Sequence, residues 1–212
     1  MPFNDLTSAS LSATVFLLGL LLAYLAGSVN FAIVLFRLLG WEDPRSRYSG
    51  NPGVSNVYRQ AGWPLAALVL LLDVGRAVAV GLLAAHHWPA TLVPWAGWAL
   101  VMGTRYPWCH RFRGGKGVAN YIGFCGALMP WVTLAALGIY LLVFALWRRS
   151  FIGSFGLLAV LAAGGLIHWW GDGVGMGAVV LTVAMIVWFH HGNIRAWRQA
   201  AAPSVVDRDG SE

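Results

Sequence analysis

Long apolar stretches alternate with short polar ones along almost the whole chain. A helix that crosses the hydrocarbon core of a bilayer needs about 20 apolar residues. Stretches 11–39, 64–85, 151–170 and 174–190 approach or exceed that length, and 90–103 is a shorter fifth. Stretch 118–147 is long for one crossing helix and short for two. It is interrupted at Met129-Pro130, where proline removes a helical hydrogen bond.

Loop charge decides between one helix and two, because cytoplasmic loops collect Lys and Arg. Arg37, Arg45, Arg47 and Arg59 surround the first loop, and Arg105, Arg111, Arg113 and Lys116 fill the second. Arg148 and Arg149 mark a third, and Arg195, Arg198 and Arg208 the tail. Segments 86–90 and 168–173 carry neither Lys nor Arg. Two short spans turning at Pro130 put every loop arginine on one side; a single span does not. The pattern therefore predicts an all-α polytopic membrane protein with about seven transmembrane helices, N-terminus out and C-terminus cytoplasmic. Its fourth helix is of marginal length and needs local bilayer thinning or a partly re-entrant path. Residues 1–200 read as one transmembrane domain with cytoplasmic loops 40–62 and 104–118, followed by a short polar tail, 201–212. The N-terminus reads as a retained anchor, since no basic segment precedes its apolar run.

Composition narrows the class further. The 212 residues are 58% hydrophobic and 10% charged, with a mean hydropathy of +0.67, whereas soluble domains carry roughly 25% charged residues. That excludes a disordered chain and a disulfide scaffold, and argues against a soluble enzyme. Cys109 and Cys125 have neither the spacing nor the neighbours of a zinc site. The net charge is +6, and of 14 basic residues Lys116 is the only lysine. Inside-positive charge explains the arginines without any function; it does not explain that one lysine.

Three polar segments could carry chemistry. In loop 40–62, Ser49, Gly50, Asn51, Pro52, Gly53 and Asn56 are turn formers, and exposed N–H groups beside arginines suit an anion. An ordinary connecting loop reads the same way. In loop 104–118, Gly114, Gly115 and Gly117 flank Lys116, which combines close backbone approach with a mobile point charge. It is not a Walker A loop, because glycine rather than Ser or Thr follows the lysine. At the end of the last span, His190 and Asn193 lie three apart and share a face if helical, although one histidine at an interface is more often structural. Asp73 and Arg76, also three apart, form the charged pair within a span and read as a structural clamp. The three loop segments fall on one predicted side of the membrane, which points to a phosphate-bearing substrate there. Nucleic acid is not expected, since the cations are split among short loops.

These residues resemble the acyl-phosphate:glycerol-3-phosphate acyltransferase family of bacterial seven-helix membrane enzymes. The resemblance rests on a Ser-Gly-Asn-x-Gly-x-x-Asn-Val-x-Arg element over 49–59, Phe-x-Gly-Gly-Lys-Gly-Val-Ala over 112–119 and His-x-x-Asn-Ile over 190–194. It implies transfer of a fatty acyl group from acyl phosphate to the 1-hydroxyl of glycerol 3-phosphate, yielding lysophosphatidate and phosphate for phospholipid biosynthesis. It also implies no metal, no cofactor, no use of acyl-CoA and a place in the bacterial inner (cytoplasmic) membrane. The His-x-x-x-x-Asp dyad of other glycerolipid acyltransferases is absent, with His168 and Asp172 one position short of it. By resemblance, Ser49, Arg59, Lys116, His190 and Asn193 are catalytic, and Asn51, Gly53, Asn56, Gly114, Gly115 and Gly117 bind substrate.

The match has departures. Tyr48 stands where the family usually has Gly, Thr104 where it has His, and Asn120 where it has Thr. Arg76-Ala77 replaces Lys-Gly after the intramembrane aspartate, and Ala202 lies at or beside the place of a glutamate. A divergent acyltransferase with another small phosphorylated or hydroxylated acceptor is thus an alternative, with Tyr48 and Asn120 where its pocket would differ. A non-catalytic or transport protein of the same fold is a further one.

Overall fold

The computed structural model describes residues 12–201, and those residues contain helix and loop but no strand. The retained-anchor reading of the first residues, the tail beyond 201 and the departure at Ala202 lie outside them. Nine helices are described: α1 (Ala13–Ser28), α2 (Phe31–Leu38), α3 (Val54–His87), α4 (Val93–Arg105), α5 (Val118–Leu128), α6 (Pro130–Trp147), α7 (Ser150–His168), α8 (Gly173–Trp188) and α9 (His191–Ala201). Every apolar stretch of the sequence carries helix. Met129 ends α5 and Pro130 opens α6, where the missing proline N–H costs nothing in the first turn.

Helices α3, α6, α7 and the α8–α9 unit are long and apolar enough to cross a membrane, and α1 with α2, bent by 44°, makes a fifth candidate. Helix α4 has 13 residues and α5 has 11, so at 1.5 Å per residue each is shorter than the roughly 30 Å hydrocarbon core. The α1–α2 break has a local cause. Asn30 leaves helical geometry and caps α2, its Oδ1 accepting from the Ile33 N–H at 3.0 Å.

Small residues set the closest crossing. A Cβ on Gly27 of α1 would run into the Leu100 carbonyl of α4, and one on Gly103 of α4 into the Tyr24 carbonyl of α1. Backbone-to-backbone approach of this kind is how helices associate where lipid is as apolar as leucine. Leu100, Leu157, Leu158, Leu161 and Ile186 fill the main core. Phe36, Val57, Ala66 and Val69 form a second cluster beneath loop 40–62. Outward, Trp131 and Trp170 are about four-fifths exposed, as expected of aromatic residues at a membrane border.

Two elements differ from the sequence reading. Residues 54–61 of the expected loop 40–62 are helical, and the kink in α3 comes at Gly62 (φ 77°, ψ −175°), two residues before Pro64. Gly62 supplies the left-handed conformation and Pro64 disfavours a helical residue before it. The segment after the last expected span, within the domain read as 1–200, continues as α9, whose Trp197 meets Phe151 edge-on at 6.3 Å. Its apolar residues are too sparse to register as a span, so it escaped a reading based on apolar runs.

Candidate active site

The three polar segments converge at one end of the bundle, and Asn30 at the α1–α2 break is a hub. Its Nδ2 donates to the Pro52 carbonyl at 3.2 Å, and its backbone N–H donates to His110 Nε2 at 3.4 Å. Arg45 fastens the same two loops. It holds Asp43 through Nε and Nη2 at 2.8 and 2.5 Å, while Nη1 donates to the His110 and Arg113 carbonyls at 2.9 and 2.8 Å. The guanidinium hydrogen-bonded to Asp43 keeps that carboxyl below its usual range. Neither Asn30 nor Arg45 stood out in the sequence, because each acts on a segment distant in the chain.

Within loop 40–62, Asn56 is buried and its Nδ2 donates to the Pro44 carbonyl at 2.8 Å and the Arg47 carbonyl at 3.3 Å. It thus shapes the loop as a buried strut. Gly53 leads into α3 and its carbonyl accepts from the Asn56 N–H at 2.9 Å. Asn51 Nδ2 lies 2.8 Å from where a Gly53 Cβ would be. Ser49 is exposed in the turn after Tyr48, and Arg59 is exposed on the first turns of α3.

The glycine loop has little room for side chains. A Cβ on Gly114 would meet the Thr104 carbonyl and come within 2.6 Å of Pro107 Cδ. Gly115 donates its N–H to the same Thr104 carbonyl at 2.9 Å. Gly117 has φ 85° and caps α5, a left-handed position that suits glycine. Lys116 between them is half-buried. Burial and, second, the neighbouring Arg105 guanidinium push its ammonium down to about 8.

Arg105 is the residue the sequence reading passed over as inside-positive charge. Its guanidinium lies 5.1 Å from the Phe189 ring centre and 5.5 Å from that of Tyr106, contacts that favour a cation. Its Nε is buried without a hydrogen-bond partner. Neither Arg105 nor Lys116 forms an ion pair among the described residues. A cleft of about 240 Å³ is lined by Arg105, Gly114, Phe112 and Arg113 from one side and by Arg45 and Gly50 from the other. Gly50 brings the chain neighbour of Ser49 to that cleft.

His190 sits between α8 and α9, buried, with its ring edge-on to Phe155 at 5.4 Å. Its Nδ1 lies 2.8 Å from the Ile186 carbonyl. A carbonyl only accepts, so the proton is on Nδ1 and Nε2 keeps a lone pair. Arg105 of the second segment lies against the ring of Phe189, the chain neighbour of His190, at 5.1 Å, which brings the second and third segments together. Asn193 is one turn onward in α9 and half-buried. The break between the helices does not separate the pair, because the Ile194 N–H reaches the His190 carbonyl at 3.0 Å. The structure thus brings Arg105, on the loop that bears Lys116, to the chain neighbour of His190, and ties the loop bearing Ser49, Asn51 and Gly53 to the glycine loop. No direct contact of Arg59 or Asn193 with Lys116 is observed.

Of the departures, Arg76 and Asn120 lie away from this cleft. Asn120 Oδ1 accepts from Arg76 Nη2 at 2.7 Å, so two departures engage each other inside the bundle. Thr104 turns its hydroxyl to the Leu100 carbonyl at 2.9 Å.

Comparison with known proteins shows the family. The family model described as glycerol-3-phosphate acyltransferase matches residues 17–200. A glycerol-3-phosphate acyltransferase of Pseudomonas paraeruginosa is 44% identical over 178 residues, covering 82% of this chain and 92% of that protein. One of Azotobacter vinelandii is 43% identical over 180 residues, covering 83% and 92%. The crystal structure of PlsY, an integral membrane glycerol 3-phosphate acyltransferase, in its glycerol 3-phosphate form superposes with a TM-score of 0.81 at 29% identity, covering 87% of this chain and 92% of that one. Its lysophosphatidic acid form gives 0.78 at 28% identity over the same shares. With its apolar helices and this likeness the chain is a multi-pass membrane protein, and it belongs to the glycerol-3-phosphate acyltransferase family.

Proposed function

We propose that this protein transfers a fatty acyl group from acyl phosphate to the 1-hydroxyl of glycerol 3-phosphate, releasing lysophosphatidate and inorganic phosphate. The observation that carries the reading is the pairing of Lys116 with Arg105. Arg105 lines a cleft with Gly114 of the loop that bears Lys116, neither cation has a carboxylate partner among the described residues, and Arg105 lies against Phe189, next to His190 in the chain. Mutually repelling, partly buried cations cost free energy, which a bound anion returns. Two phosphate-bearing substrates repel each other in turn, and a doubly cationic cleft offsets that repulsion.

Roles follow from the chemistry of each group. Lys116, with the amides of Gly114, Gly115 and Gly117, cradles the acyl phosphate and stabilises charge on the departing phosphate. Ser49, Asn51 and Gly53 position a phosphate from the facing loop, as does Arg59 from α3. Gly53 and Asn56 hold that loop in shape. His190 accepts a proton or a hydrogen bond from the acceptor at its free Nε2, and Asn193 orients the acceptor beside it. No metal enters these roles. Bringing donor and acceptor together supplies the rest of the acceleration. We further propose seven membrane crossings, N-terminus out and C-terminus in, in the bacterial inner membrane. The positive charge of the cleft end then faces the cytoplasm.

The alternative of a different acceptor draws no support from the departures. Tyr48 is exposed, and Asn120 is engaged by Arg76 within the bundle. The test is direct. Purified protein in lipid, supplied with acyl phosphate and glycerol 3-phosphate, should release phosphate in step with lysophosphatidate. No turnover with glycerol 3-phosphate, but turnover with another acceptor, overturns the assignment of substrate. Glycerol 3-phosphate flux into proteoliposomes without acyl transfer overturns the enzyme.

A further inference from the structure

Arg45, which lines the cleft beside Arg105, also lines a second cleft, of about 280 Å³, together with Arg37, Asp43, Cys109, His110 and Arg111. That cleft is smaller than the roughly 300–1,000 Å³ of sites for drug-sized ligands, which suits a headgroup. Asp43 is consumed by Arg45 at 2.5 Å, whereas Arg37 and Arg111 have no ion-pair partner among the described residues. The cleft therefore carries a net excess of two cations.

His110 adds a second observation. It is 7% exposed, and its Nε2 accepts from the Asn30 N–H. The Nε2 lone pair being so used, the proton of the neutral ring is on Nδ1. That Nδ1 is buried with no hydrogen-bond partner, leaving a donor unmet in a wall of the cationic cleft. A buried donor without an acceptor is a recurrent cost in folded proteins and one that an acceptor-rich ligand removes. Inside-positive bias explains loose arginines on a loop. It does not explain why α2, the 43–45 turn and the 109–111 turn bring them around one buried, unpaired imidazole.

The surroundings indicate the ligand. Arg37 is in the last turn of α2, and Leu38, Trp41 and Trp108 nearby in the chain are exposed at 76%, 49% and 59%. A basic cleft beside exposed leucine and tryptophan fits the edge of a membrane, where anionic headgroups gather.

We propose that this cleft is a phosphate-group site separate from the reaction site, taking the phosphate headgroup of an anionic membrane lipid through Arg37, Arg111 and His110. Free phosphate has the same chemistry and is the other source of the ligand. The proposal does not depend on the acyltransferase reading, and its test is kept apart from it by working in the Lys116→Ala background.

Full-length Lys116→Ala protein in neutral detergent is titrated by calorimetry with dioctanoyl phosphatidic acid, dioctanoyl phosphatidylcholine and inorganic phosphate. Phosphatidic acid should bind saturably and phosphatidylcholine should not. Adding Arg37→Gln and Arg111→Gln together should weaken binding by about tenfold or more, the loss expected for one or two charge-assisted hydrogen bonds. If that protein does not fold, each single exposed substitution should weaken binding by about threefold. Inorganic phosphate binding more weakly than the lipid, and competing with it, marks a lipid site. Inorganic phosphate binding equally well marks a free-phosphate site of the same chemistry. No saturable binding of either, or binding unmoved by the arginine substitutions, overturns the proposal. In otherwise wild-type protein, the same substitutions should leave acyl transfer within about twofold, because neither arginine lines the cleft beside Arg105 and Gly114.

Discussion

Two arginines within the described bundle live under opposite electrostatic terms. Arg76 in α3 faces Asp73 at 2.7 Å, donates to Asn120 Oδ1 at 2.7 Å and to the Val29 carbonyl, and lies 4.8 Å from the Phe31 ring centre. The carbonyl it engages is the one at the α1–α2 break, so the cation helps to hold the bend that carries Asn30. Arg105 has aromatic neighbours too, but no carboxylate pairs with it among the described residues, and its charge helps to hold the Lys116 ammonium below its ordinary value. A charge matched by a carboxylate and fixed dipoles serves the fold. A charge left facing its own sign in a glycine-lined cleft awaits a ligand. The strain is distributed the same way. Of the four non-glycine residues with positive φ among the described ones, Tyr48, Arg111 and Phe112 are on the two loops that form the cleft (53°, 57° and 55°), and Arg148 caps α6.

Removing one member of each set separates the two roles, and the largest effect is expected at the unmatched one. Lys116→Ala should lower kcat/KM by about 100- to 1,000-fold, the loss seen on deleting a charge-stabilising donor. The unfolding midpoint should not fall, since the substitution removes a repelling charge. Full activity in Lys116→Ala would erase the distinction drawn here. The opposite signature belongs to the matched pair. Arg76→Met leaves Asp73 without its cation in the bundle and should destabilise the protein by about 3–5 kcal/mol. Activity per folded molecule should stay within a few-fold. Unfolding in detergent, followed beside phosphate release, reads both quantities on one sample.

A pH titration sharpens the comparison without a large structural change. The Lys116 ammonium, held to about 8 against an ordinary value of 10.5, loses its charge in the free protein as pH rises past 8. The value of kcat/KM should therefore fall about tenfold per pH unit above that point. Stability moves the other way. Between about 8 and 10.5 the unfolded chain binds the proton that the folded one has released, so the contribution of this group to stability rises with pH. Lys116→Arg should abolish the alkaline fall, whatever activity it keeps, because a guanidinium stays charged throughout. An unchanged alkaline limb in that variant assigns it to another group.

Which parts of this were legible in the sequence depends on the range of the forces involved. Apolar runs and loop charge located the helices, and Pro130 divided α5 from α6, because those signals are local. The Asp73–Arg76 clamp was readable from helical spacing alone. Its third member, Asn120, was not, since it comes from another helix 44 positions away. The site was legible as three motifs but not as a site. What joins them is Asn30, reaching Pro52 and His110, and Arg45, reaching His110 and Arg113. A lone asparagine in an apolar run and one loop arginine among several give no local sign of such reach. Arg105 was hidden by a rule that was true of it, since inside-positive charge accounts for its presence and not for its neighbours. Helix 54–61 was missed because Ser, Asn and Gly mark a helix start as readily as a turn.

The smallest expected effect tests whether the strain at the cleft is a cost borne by this chain alone. Tyr48 is 69% exposed and so has little packing to lose, yet its φ of 53° places it where a Cβ crowds the backbone. The family resemblance puts glycine at this position, where that conformation carries no such penalty. Tyr48→Gly should raise stability by about 1 kcal/mol, the relief of the left-handed penalty less the added freedom of the unfolded chain. Activity should change less than twofold, because the turn keeps its shape and Ser49 its place. Tyr48→Ala separates the causes: alanine shares the left-handed penalty and should bring none of the gain. If alanine stabilises as well as glycine, the benefit comes from removing an exposed aromatic ring. The backbone of the turn before Ser49 would then be relaxed, and the contrast between a settled interior and a strained site would rest on charge alone.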